Sequence, residues 1–337
     1  MPTETLAGPS STTSPVARRQ WRAMGTDAEV IVVVDADAVG VADRMAELAV
    51  QRIEILEQSW SRFRSTSELS ALNASCGQGP RSASADLMEL LDRMQQAWRW
   101  TAGACDGAVH DAMTAWGYDR DFALLASDHG AIPLEAPGNE RPQRAAGIGP
   151  TLADVMIDRA AGTIELPASL RIDPGAIGKG LAADIVCREV ASAGASGVLV
   201  NMGGDISVCG AWLDGHPWQV GLRDERNPDA SSVMLTIHDS PCGIATSTSL
   251  RRRWSVHGHS VHHIIDPSTG RPAQSDLVQA TVIAPTAWQA EAAATAAMVR
   301  GAEAGSEWLT AHHLDAFLFS TEAMLTLPGG AHVTVSA

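Results

Sequence analysis

The chain has 337 residues, 45% of them apolar, enough to bury a full core in one large or two modest domains. Its formal net charge of −15 argues against nucleic acid or an acidic membrane as a partner, because such surfaces are normally met with basic protein. Five cysteines (Cys76, Cys105, Cys187, Cys209, Cys242) are odd in number and widely spaced, which predicts reduced, mostly buried thiols and excludes a disulfide framework or a structural zinc site.

Met1 to Gln20 is rich in Ser, Thr and Pro, with no apolar run of signal-peptide length. It reads as a disordered leader over 1–20, followed by a single unit over 21–337 with room for two sub-lobes. No stretch approaches the length of a membrane span, so the chain is expected to be cytoplasmic without membrane insertion. Ala28 to Val34 is a β-branched run that predicts a strand. The spacing of Val41, Met45, Leu48, Ile55 and Leu56 predicts an amphipathic helix to Glu57, and Leu87, Leu90, Leu91, Met94 and Trp98 predict a second over Ala85 to Trp100. Leu125 to Pro150, loaded with Gly, Pro and Ala, reads as a long surface excursion.

Short strands are expected at Asp154 to Ile157, Thr163 to Leu166 and Leu170 to Ile172, then a helix from Lys179 to about Ala193. Val198 to Val200, Ile206 to Cys209, Trp218 to Leu222 and Val233 to Ile237 follow as strands separated by glycine turns. Val278 to Ile283 leads into an alanine-rich helix, Ala287 to Arg300, and Ala316 to Phe319 with a C-terminal strand pair closes the chain. Strands mixed with helices, without regular alternation, place the fold in the α+β class with mixed or antiparallel sheets and packed helices.

Lys179 is the only lysine beside 23 arginines, and it lies in the glycine cluster Asp173-Pro174-Gly175-Ala176-Ile177-Gly178-Lys179-Gly180. Glycines let backbone approach a ligand closely, and a compact ammonium suits phosphate as a point charge. The P-loop hydroxyl residue after lysine and the dinucleotide glycine spacing are both absent. Glu291 and Thr295 stand four residues apart on the alanine-rich helix, hence on one face, where two oxygens can meet a hard cation; the alternative is a closely packed helix with Glu291 in solvent.

In His257-Gly258-His259-Ser260-Val261-His262-His263-Ile264-Ile265-Asp266-Pro267-Ser268-Thr269-Gly270, strand alternation keeps the four histidines from converging on one ion. One of His262 and His263 is expected to point inward, as a general base or as a satisfied core residue. Asn201-Met202-Gly203-Gly204-Asp205 is another glycine turn with polar flanks, and Thr246-Ser247 and Arg251-Arg252-Arg253 add hydroxyls and charge.

In order, Met24-Gly25-Thr26, Ser61-Arg62-Phe63-Arg64, Ser67-Glu68-Leu69, Ala104-Cys105-Asp106, Trp116-Gly117-Tyr118, the lysine turn, Asn201 to Asp205, Ala245-Thr246-Ser247, His263 to Gly270 and Glu291 to Thr295 resemble the ApbE-type family, the FAD:protein FMN transferases. The resemblance runs from about Trp21 to near the C-terminus. It implies a T-fold-related α+β enzyme that uses Mg²⁺ to transfer FMN from FAD to a Thr or Ser of an acceptor protein, with AMP leaving. By matched position it implies that Ala176, through its carbonyl, Glu291 and Thr295 hold the metal. It also implies that Met24, Phe63, Ala104, Cys105, Asp106, Asp173, Lys179 and Ile265 line the FAD site, with His263 and Lys179 at the reacting phosphate.

The chain departs from the family pattern at Glu291, where Asp is usual, at Thr248, where glycine is usual, and at Cys105 and Gly107. The lipoprotein signal of exported members is not found. FAD hydrolysis to FMN and AMP, or FAD binding without catalysis, are alternatives that share the same groups.

Overall fold

Eight strands make one antiparallel sheet whose spatial order follows the chain: β1 (Val16–Ala23), β2 (Thr26–Val33), β3 (Gly197–Met202), β4 (Asp205–Gly210), β5 (Cys242–Thr248), β6 (Leu277–Ala284), β7 (Asp315–Ser320) and β8 (Met324–Leu327). The computed structural model describes residues 15–36, 38, 40–127, 149–227, 233–256, 258–329 and 333–336. The helices are α1 (Val41–Trp60), α2 (Glu68–Ala74), α3 (Ala85–Trp100), α4 (His110–Ala115), α5 (Phe122–Ser127), α6 (Gly178–Ser192), α7 (Ala287–Arg300) and α8 (Ala302–Ala311). The first six fall between β2 and β3, and the last two between β6 and β7.

Side-chain alternation divides the core between the two faces of the sheet. Val198, Val200 and Met202 of β3 face Ile53 and Leu56 of α1 and Leu181 and Ile185 of α6. Leu199, Ile206, Ile244 and Phe317 face the other way, against Trp218, Val220, Leu235 and Ile237 of a small three-stranded sheet. Beneath α7 the packing is almost all alanine: Ala290, Ala293, Ala294 and Ala297 sit on Ala245, Ala280, Val282 and Ala316. Small side chains let this helix lie close to the sheet. Glycines complete the approach, because a Cβ on Gly243 would fall 2.1 Å from Ala287 N and one on Gly180 2.6 Å from Ala287 O.

The α+β expectation and most elements agree with this architecture. The strand Val16–Ala23 corrects the leader, which was expected to run through Gln20; residues 1–14 lie outside the described residues, as does most of the expected surface excursion. Leu170 to Ile172 is not a strand. It is a loop held by a side-chain clamp, in which Asn73 Nδ2 donates to Ile172 O at 2.9 Å and Ile172 N donates to Asn73 Oδ1 at 2.7 Å. Among the described residues, no helix is long and apolar enough to cross a membrane.

Candidate active site

The loop clamped by Asn73 delivers Asp173 to the start of α6. Asp173 Oδ1 accepts from Gly175 N at 2.8 Å, and the Ile177 and Gly178 amides both reach Pro174 O, at 3.0 and 2.7 Å. This tight turn starts α6 without a side-chain cap of its own and puts Lys179 in the first turn, against β4 and α7. The Lys179 ammonium is bound by Asp205 of β4 and by Glu291 Oε1 of α7, and the Gly180 amide donates to Glu291 Oε2 at 2.8 Å. Both carboxylate side chains are 3% exposed, so this is a buried cluster and not a surface pair.

Burial works against the Lys179 charge, but Asp205 and Glu291 outweigh it and hold the ammonium above its ordinary range. Burial raises Glu291 above the usual carboxylate range and Asp205 adds to the rise, with Lys179 and the Gly180 amide opposing. Two carboxyl groups thus share one ammonium in a low-dielectric place.

Glu291 is held at this depth by the N-terminus of α7. Thr286 supplies no side-chain cap there; Asp184 of α6 does so from outside the helix, accepting from Ala287 N and Trp288 N, each at 2.9 Å, and from Ser207 Oγ at 2.7 Å. One buried carboxylate thus ties α6, β4 and α7 together.

A cavity of about 770 Å³ opens over this cluster. Met24, Phe63, Ala104, Asp106, Asp173, Ala176, Lys179, His263, Ile265, Glu291 and Thr295 all line it, bringing together site residues from across the chain. Cys105 is the exception. Its side chain is 1% exposed in the main core, its amide donates to Thr101 Oγ1 at 3.0 Å, and burial pushes its thiol up. Its neighbours Ala104 and Asp106 line the cavity, and Cys105 does not.

Thr295 Oγ1 lies 3.2 Å from Ser247 Oγ, so a hydroxyl pair from α7 and β5 borders the carboxylates. Thr248, where glycine was expected, donates Oγ1 to Val278 O at 2.8 Å and needs no left-handed backbone. The donors are therefore hard oxygens: carboxylates, hydroxyls and the nearby Ala176 backbone. Such a set suits a small divalent cation that keeps water or ligand oxygens in its shell. Among the described residues, no group of three or more His, Cys, Asp or Glu side chains is arranged to hold a metal ion.

The two adjacent histidines have different surroundings. His262 uses both ring nitrogens on backbone, Nε2 with Ala273 O at 3.1 Å and Nδ1 with Ile264 N at 3.3 Å. His263 lines the cavity, its Nδ1 buried and without a hydrogen-bond partner among the described residues. Burial, then the charges of Arg252, His262 and Lys179, holds His263 well below the ordinary imidazole range, so it is neutral and able to accept a proton.

An aromatic wall stands at the cavity's other end. Tyr118 is centred between Phe63 (5.6 Å), Trp254 (5.4 Å) and Phe122 (6.2 Å). The Arg62 guanidinium lies 4.1 Å from the Phe63 ring centre, donates to Tyr118 O at 2.7 Å, and pairs with Asp173 Oδ2 at 2.8 Å. A phosphate group above the carboxylate cluster and a planar ring against Phe63 can occupy one continuous space.

Asp205, Ser247, Tyr118 and Arg62 escaped the sequence reading as individual site residues. Each lies in a short motif that did stand out, but the motif does not say which of its members turns inward.

Over residues 24–318 the chain matches the ApbE family. It is 30% identical over 321 residues to the FAD:protein FMN transferase of Salmonella typhimurium, covering 93% of this chain and 87% of the relative. The protein of the same name from Escherichia coli K12 is 28% identical over 287 residues, covering 83% and 79%. The flavin transferase ApbE from Vibrio cholerae has a similar structure, with a TM-score of 0.76 at 23% identity over 94% of this chain and 98% of that one. The ApbE protein of Thermotoga maritima gives 0.77 at 23% identity, covering 92% and 96%.

Proposed function

The chain belongs to the ApbE family, and from that premise we propose that it transfers FMN from FAD to a Thr or Ser hydroxyl of an acceptor protein, with Mg²⁺ and with AMP as leaving group. The observation that carries this reading is the Glu291–Lys179–Asp205 cluster in a cavity that also holds a neutral imidazole, whose Nδ1 has no partner among the described residues, and an aromatic wall. A dinucleotide of two ring systems joined by a diphosphate needs that sequence of surfaces. The two relatives are named for FMN transfer from FAD to a protein, which supports the transfer part of this reading.

Glu291, Thr295 and the Ala176 carbonyl, beside Asp205, would hold the cation. When bound, Mg²⁺ supplies fixed positive charge to phosphate oxygens. The side chains do the rest. Phe63 offers a face to a planar ring, and Lys179 presents an ammonium at the boundary between the carboxylates and the cavity. His263 Nδ1 is placed to take the proton from the attacking hydroxyl. In the transfer, the hydroxyl oxygen forms a bond to the FMN phosphorus, the bond from that phosphorus to the bridging oxygen breaks, and AMP departs with that oxygen. Met24 and Phe63 add apolar surface to the lining of this space.

AMP release from FAD by the purified chain, with Mg²⁺ or with EDTA, and with or without a Thr- and Ser-containing acceptor peptide, tests the proposal. Metal- and acceptor-dependent AMP together with a covalently flavinylated peptide is the expected result. AMP released equally without acceptor would replace transfer by hydrolysis, and tight FAD binding with no AMP under any condition would remove catalysis.

A further inference from the structure

We infer that Arg252 is the cationic residue that grips the diphosphate of the bound dinucleotide, a role that rests on the functional reading above and adds a phosphate-binding residue to it. Five arginines line the cavity, and four are paired with carboxylates. Arg22 pairs with Asp27 at 3.0 Å, Arg62 with Asp173 at 2.8 Å, Arg64 with Glu54 at 2.9 Å, and Arg251 with Glu225 at 2.7 Å. Lys179 is neutralised too, by two carboxylates. Among the described residues Arg252 has no carboxylate partner; its one polar contact is a 3.4 Å approach of Nη2 to Gly25 O.

Its backbone is held in an uncommon state. Arg252 has φ +46°, in the left-handed region that non-glycine residues seldom adopt, and it reaches across to the turn at Met24 and Gly25, which is left-handed at both positions (φ +50° and +69°). Strain of this kind persists where the surrounding structure fixes it, and it gathers at ligand clamps. Here it fixes a residue that lines the cavity, in the loop that follows β5, the strand that carries Ser247. Arg252 shares the lining of one cavity with Lys179, His263 and Tyr118. A guanidinium has five donors in a planar fork that matches phosphate oxygens in pairs, so an unpaired one in this place has a natural ligand.

Titration of the full chain with FAD, with riboflavin, which has no phosphate, and with inorganic pyrophosphate separates this role from a structural one. Arg252→Ala is expected to weaken FAD and pyrophosphate about 10- to 100-fold, the range for a lost charge-assisted pair of hydrogen bonds, and to leave riboflavin within about twofold. Arg252→Gly, which accepts the left-handed backbone without strain, guards against misfolding and is expected to give the same pattern. Arg252→Lys is expected to recover part of the loss, and in turnover the Ala variant is expected to raise KM for FAD more than it lowers kcat. Pyrophosphate affinity unchanged in both the Ala and Gly variants, or riboflavin lost in parallel with FAD, would overturn the inference. A wild-type chain that shows the Arg252-dependent binding and yet transfers no FMN supports the inference and overturns only the transferase reading.

Discussion

The amide of Gly180 donates to Glu291 Oε2 at 2.8 Å, while the carbonyl of Ala287, one turn earlier on the same helix, leaves no room for a side chain on that glycine. The first turn of α6 and the N-terminal half of α7 are thus pressed together at the point where the carboxylate emerges. Gly180→Ala is expected to force the helices apart at a cost of about 1–3 kcal/mol, the range for overpacking in a tight core. Thermal unfolding reads the stability. Mg²⁺-dependent AMP release should fall more steeply than FAD binding, because Glu291 moves with α7.

Asp184 acts as the cap that α7 lacks. Replacing it by Ala leaves the Ala287 and Trp288 amides and the Ser207 hydroxyl without their buried acceptor, and a loss of about 2 kcal/mol or more is expected. Asp184→Asn keeps an acceptor and should lose less. Urea unfolding of both variants measures the difference, and equal loss would remove the capping role.

Lys179→Ala leaves Glu291 and Asp205 as neighbouring buried carboxylates with no shared cation. The apo protein is expected to lose about 3 kcal/mol, as for a buried pair stripped of one partner. Millimolar Mg²⁺ should then raise Tm in this variant by more than it does in the wild type, since a cation binding only the folded state adds stability by mass action. An identical Mg²⁺ response in both proteins would argue that the cation does not approach this cluster.

His263 sets a pH dependence whose sign follows from its environment. Its folded value lies well below 6.5, so as pH falls through about 6.5 the unfolded chain takes up the proton first. The contribution to stability is complete above about 6.5 and is lost as pH falls from there toward the folded value. His263→Gln should flatten that part of the stability profile. In turnover, the acid limb attributable to this imidazole should lie below the ordinary histidine range, and the variant should lose about 10²- to 10⁴-fold in kcat if the ring is the base. Rates measured across pH with saturating FAD and acceptor provide the check.

Much of the element list was legible in the sequence. The helices over Ala85–Trp100 and Ala287–Arg300 and the strands Trp218–Leu222 and Val233–Ile237 follow from apolar periodicity that is local and survives in the fold. β1 was missed because it is the edge strand of the large sheet: its exposed positions carry Arg18 and Gln20, which with Arg19 read as leader. β5 was missed because Cys242–Thr248 is built of small residues that pack beneath α7. Their weak β signal is the condition for the helix to lie close.

For the site, the residues alone determined the kinds of group available: one lysine in a glycine turn, a carboxylate and a hydroxyl on one helical face, a histidine beside an aspartate turn. Tertiary structure decided which of those charges remain free. Glu291 is 112 positions from Lys179 and Asp205 is 26 from it, and together they convert an apparently free ammonium into the centre of a buried cluster, while Arg252, one of three adjacent arginines, has no carboxylate partner among the described residues. Pairing and desolvation depend on distance through space and on exclusion of water, and neither is encoded in the spacing of residues along the chain.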